Sequence, residues 1–68
     1  MNYPILIRYR SGAADWRTWS HHLSRDAAER SITQALREWP RDHFQVTERG
    51  QLVFDSWRAG EGWRWRWR

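Results

Sequence analysis

The chain has no cysteine, no lysine and no apolar run long enough to cross a bilayer. Without cysteine there is neither a disulfide scaffold nor a thiolate zinc site. Without lysine, all twelve basic side chains are arginine, a bias that GC-rich codon usage produces as readily as selection for bidentate carboxylate or phosphate contacts. Without a long apolar stretch, or a charged start followed by an apolar segment, neither membrane insertion nor export is expected. Cytoplasmic residence follows as the expectation.

What is present is aromatic. Sixty-eight residues make one domain, and at that size only about 60% of the unfolded surface can be buried. Seven Trp, two Tyr and two Phe supply large apolar area per residue, which helps a short chain fold without a covalent staple. The net charge of +4 is uneven. Residues 1–23 carry three Arg against Asp15, residues 24–48 four Arg against five acids, and residues 49–68 five Arg against two acids.

In residues 3–10, Tyr3, Ile5, Ile7 and Tyr9 alternate with Leu6, Arg8 and Arg10, the period of a half-buried strand. Small and polar residues from Ser11 to Asp15, with Gly12 free to take positive φ, lead to a second antiparallel strand from Trp16 to Leu23. Ser24 is placed to cap a helix, with Asp26 in its first turn and Ala28, Ile32, Ala35, Leu36 and Trp39 on one stripe. Pro40 ends it. Asp26, Arg30, Gln34 and Arg37 form an ordinary solvated face.

Residues 43–47 and 51–57 read as two further strands. A three-residue loop, Glu48-Arg49-Gly50, pairs Val46 with Leu52 and Phe44 with Phe54, whereas a two-residue loop opposes Phe44 to Asp55. The expectation is an α+β domain of order ββαββ over residues 1–58: a four-stranded antiparallel sheet, order 2-1-3-4, with one helix packed on one face. The other face is left uncovered, with Leu6, Arg8, Arg10, Val53, Asp55 and Trp57 on it, open to a ligand or to a second copy of the chain.

Residues 59–68 form a Gly-tethered tail in which Trp63, Trp65 and Trp67 alternate with Arg64, Arg66 and Arg68. The tail either returns as an edge strand or packs its indoles on the sheet with the guanidiniums in water. A different use is to grip single-stranded nucleic acid by stacking and phosphate contacts. Six residues bury too little area to anchor a domain in a membrane. Arg8, Arg10 and Arg17 on the first hairpin, with Trp16 or Trp19 among them, make a second candidate surface. It lacks the motifs of the RRM, KH and zinc-knuckle domains.

Chemistry is harder to place. His21 and His22 point to opposite faces of a strand and cannot chelate together, so with His43 they read as structural or exposed, and no metal or cofactor is expected. Ser20 or Ser24 beside His22 lacks a strained elbow or an oxyanion loop. Asp15, Asp42, Asp55 and Glu61 are scattered, each with an Arg close in sequence, as for neutralised surface acids. An enzyme is not expected.

This compact, lysine-free ββαββ layout resembles small proteins carried by phages and mobile elements of GC-rich bacteria, some of which are anti-CRISPR inhibitors. The resemblance implies a small binding protein that occludes a surface on a larger host complex. The expected function is therefore a protein-protein interaction module using Arg8, Arg10, Arg17, Trp19, Trp57 and residues 63–68. Nucleic-acid binding through the same Arg and Trp residues is the alternative.

Overall fold

The computed structural model describes residues 3–58 and 65–67. Among them the chain runs β1 (Ile5–Arg10), β2 (Arg17–His22), α1 (Arg25–Glu38), β3 (His43–Glu48) and β4 (Gln51–Asp55). One sheet has the order β2-β1-β3-β4, with every neighbouring pair antiparallel. This is the ββαββ architecture that the alternation and the helix stripe imply. Trp63, Arg64 and Arg68 lie outside the described residues, as does the junction at residues 58/59 that the sequence suggests.

Helix α1 forms where local chemistry asks for it. The Ser24 side chain accepts a hydrogen bond from the Ala27 N–H at 3.1 Å, and Asp26 and Arg37 sit at the ends of the dipole where their charges are favourable. Ala28, Ile32 and Ala35, spaced at helical period, are buried against Ile5 and Ile7 of β1 and Phe44 and Val46 of β3. Ile5, Ile7, Ile32, Phe44 and Val46 are fully buried, each contributing about 1.5–3 kcal/mol of apolar transfer. Trp39 is a correction to the expected stripe. It is the C-cap residue, has left helical geometry and is 51% exposed. The helix is not long and apolar enough to cross a membrane.

Two irregularities re-aim the sheet. Between β1 and β2 the register moves from Ile7↔Ser20 to Arg8↔Thr18, so Trp19 is an extra residue. Its ring turns to the helix side, edge-on to Tyr9 at 5.3 Å and to Phe44 at 5.4 Å. Between β3 and β4 the expected three-residue loop is replaced by a two-residue turn. Arg49 and Gly50 both have positive φ, 51° and 83°, and Glu48 pairs with Gln51. Such turns match the right-handed twist of the flanking strands. The one-residue offset is absorbed at Val53, so Val46 pairs with Phe54 rather than Leu52. Phe44 faces neither Phe54 nor Asp55; its N–H donates to Ser56 Oγ and its carbonyl accepts from the Ser56 N–H. Val53, expected on the uncovered face, is instead only 3% exposed and belongs to the core.

The helix covers the β1 and β2 side of the core face, and residues 65–67 pack on its β4 side. Trp65 stacks on Phe54 at 4.5 Å, Trp67 stacks on Trp65 at 4.9 Å, and Arg25 lies over the Trp67 ring. The Arg66 N–H donates to the Val53 carbonyl at 2.9 Å while its side chain stays exposed. Of the tail's alternative uses, residues 65–67 thus adopt the packed one, with indoles on the sheet and Arg66 outside. Arg25 also spans to β3, pairing with Glu48 at 2.8 Å.

Candidate functional site

Among the described residues, no helix covers the second face of the sheet. The register places Leu6, Arg8 and Arg10 of β1, His43, Gln45 and Thr47 of β3, and Leu52 and Asp55 of β4 on it. Alternation explains most of this set, because each residue sits one position from a core residue.

At its centre is a connected chain of polar groups. The Asp55 carboxylate, only 5% exposed, accepts from His43 Nε2 and Gln45 Nε2 at 2.9 Å each and from the Trp57 N–H at 3.0 Å. Gln45 Oε1 in turn accepts from Arg8 Nε at 3.1 Å and its Nη2 at 2.7 Å. The carboxylate can only accept, so His43 Nε2 carries the proton, and the amide orientation of Gln45 is dictated from both ends. Burial alone would raise the Asp55 carboxyl. The hydrogen bonds from Gln45, His43 and the Trp57 backbone, with the His43 charge, outweigh it and hold the group below the ordinary carboxylate range. Asp55 is therefore a buried structural acid, a correction to its reading as a neutralised surface one.

Aromatic rings flank this chain. His43 is stacked parallel to Trp57 at 4.1 Å and tilted against Trp16 at 4.8 Å. The guanidiniums of Arg8 and Arg10 lie over Trp16 at 4.9 and 5.1 Å, within cation–π range. Two buried atoms in the cluster, Arg10 Nε and His43 Nδ1, make no hydrogen bond. Trp57 is 53% exposed, so one side of the cluster faces solvent.

The candidate residues divide sharply. Arg8, Arg10 and Trp57 converge here. Arg17 pairs with Tyr9 and so belongs to the other side of the sheet, where it is exposed beside a shallow groove shared with Arg10 and Asp15. Trp19, Trp65 and Trp67 are packed against the core. Trp16, His43, Gln45 and Asp55 complete the site: Trp16 is one of the two indoles the sequence offers beside these arginines and Asp55 is expected on this face, whereas His43 and Gln45 are absent from the expected set. Their nearest signal was alternation, which places Gln45 and His43 on the same face as Arg8 and Arg10.

Elsewhere, Ser20 Oγ and His22 Nε2 are 2.8 Å apart, with Ser31 Oγ at 3.5 Å from Ser20. Burial, helped by the charge of His21, lowers the His22 pKa. Among the described residues no acid hydrogen-bonds His22, so the pair lacks the third member that orients a catalytic base. No three His or acidic side chains converge as metal ligands among the described residues. A groove of about 550 Å³ lined by Tyr3, Leu6, His21, Thr47 and Arg49 continues the open face toward the β3–β4 turn.

No protein-family model, curated protein sequence or solved structure matches this chain.

Proposed function

We propose that the chain is a non-catalytic protein-binding module that presents the open sheet face to a partner protein and acts by covering the surface it binds. The observation that carries this reading is Trp57. It is half exposed, yet its ring is held by stacking on buried His43 and its N–H is anchored on Asp55. Trp and Arg dominate the energetics of protein interfaces, and a side chain already immobilised loses less entropy on docking. Arg8 and Arg10 belong to the same cluster and are steadied by Gln45 and Trp16.

Nucleic-acid binding has less support. A single-strand platform needs successive rings free to stack on bases. Trp65 and Trp67 are stacked on each other and on Phe54, Trp19 is packed against the core, and Trp16 lies under two guanidiniums.

The test is quantitative affinity capture from source-cell lysate with the wild-type protein, the Trp57→Ala variant and Arg30→Ala on the helix surface as a control. A protein retained by wild type and Arg30→Ala but lost with Trp57→Ala supports the reading. Retention that ignores Trp57, together with tight salt-sensitive oligonucleotide binding, overturns it.

A further inference from the structure

The charge on the open face is one-sided in a way that specifies the partner's chemistry. Arg8 and Arg10 stand two residues apart on β1, and Arg49 lies at the far end beside the groove. Among the described residues the face has one acid, Asp55, and both of its oxygens are already engaged internally. Asp15, in the loop that precedes Trp16, lines the groove with Arg10 but makes no ion pair with it among the described residues. A second copy of the chain would bring these arginines against their own kind, which disfavours self-association through this face.

The two guanidiniums also differ in what they still need. Arg8 spends Nε and Nη2 on Gln45, whereas among the described residues Arg10 makes no side-chain hydrogen bond: its Nε is buried, its terminal Nη groups have no acceptor, and its guanidinium lies over the Trp16 ring. A planar guanidinium with an unfilled donor is matched best by a carboxylate, which can accept from two N–H groups at once. Resting both groups on Trp16 leaves less side-chain entropy to be lost when that carboxylate arrives.

We propose that the partner surface is acidic, and that a Glu or Asp side chain of the partner docks on the Arg8–Arg10 pair above Trp16, next to the Trp57 anchor. This rests on the protein-binding reading above and names the chemistry of the same surface.

The experiment is a ¹⁵N NMR titration of the intact protein with capped hexaglutamate, with capped hexaglutamine and with a deoxythymidine oligonucleotide. Hexaglutamate is expected to move the Arg8 and Arg10 Nε–H and the Trp16 and Trp57 indole N–H signals saturably, whereas hexaglutamine leaves them in place. Arg10→Gln, with its amide spectrum otherwise intact, weakens hexaglutamate binding about fivefold or more, the loss of one charge-assisted hydrogen bond. Should Arg10→Gln alter the fold, Arg8→Gln serves in its place. Equal shifts with both peptides, shifts confined to the helix surface, or oligonucleotide binding to the same signals at far lower concentration would overturn the inference. If Trp57-dependent capture succeeds while hexaglutamate leaves Arg8 and Arg10 unmoved, the protein-binding reading stands and the acidic partner falls.

Discussion

Replacing Asp55 by Asn tests whether the buried polar chain organises the open face. The side chain keeps its shape but loses its charge and one acceptor, and its new amide group must face a donor, either Gln45 Nε2 or His43 Nε2. One buried donor is left without an acceptor, at about 1–3 kcal/mol, and the surviving bonds lose their charge assistance. The expected loss is about 2–4 kcal/mol. For 68 residues the whole stability is on the order of 3–10 kcal/mol, so the variant should be visibly weakened and close to unfolding at the low end. The assay is urea denaturation at neutral pH, followed by tryptophan fluorescence and far-ultraviolet circular dichroism, with an unchanged slope confirming that the unfolding transition is the same one. A double variant carrying His43→Phe as well should lose less than the sum of the two single losses, because the groups share one network. A loss below about 1 kcal/mol for Asp55→Asn, or strict additivity with His43→Phe, would refute the argument that this chain of bonds holds the face.

The tail makes a second prediction. Trp65→Ala removes a ring stacked on Phe54 and on Trp67 and should cost about 2 kcal/mol, less than a fully buried Trp because Trp65 is only half buried. The same denaturation experiment reads it, and a neutral result would mean that the tail does not close the core in solution. A third concerns pH. Hydrogen bonding from Arg25, against a smaller cost of burial, lowers Glu48, while Asp55 and His22 are lowered as described above. For each group the unfolded chain takes up a proton first, so stability rises with pH: each contribution is complete above the unfolded pKa, about 4 for the acids and about 6.5 for His, and is lost as pH falls through the folded value. Stability should therefore decline in two stages on acidification. His22→Gln should flatten the upper stage and leave the lower one, and an unchanged upper stage would remove His22 from the account.

The candidate surface was only partly legible from the chain itself. Arg8 and Arg10 were readable because strand alternation is local and sets them one step from Ile7 and Tyr9. The sequence offered Trp16 or Trp19 beside them without choosing, because which indole lies over the face depends on where the first hairpin irregularity falls. The same irregularity sends Trp19 inward although its neighbours along the strand suggest a surface tryptophan. Asp55 was misread because an acid with nearby arginines in sequence resembles a solvated one, and nothing local says that His43, Gln45 and Trp57 will gather around it. The tail's Trp-Arg alternation was compatible with packing and with stacking on bases alike.

Sequence by itself determined the element order, the Ser24 cap, the helix stripe through Ala28, Ile32 and Ala35, and the strand order, since hydrophobic period, capping chemistry and short connections each act over a few residues. Tertiary structure decided which face each residue of β2 and β4 presents. A bulge shifts a strand by one residue and reverses every side chain beyond it, and its position is selected by what must be buried on both faces at once. At Val53 it returns Phe54 to the core beneath Trp65 and brings Asp55 between His43 and Gln45. The buried core and the open face are thus set by the same one-residue adjustment, whose energetics lie in contacts made across the sheet and with Trp65 rather than in the local sequence.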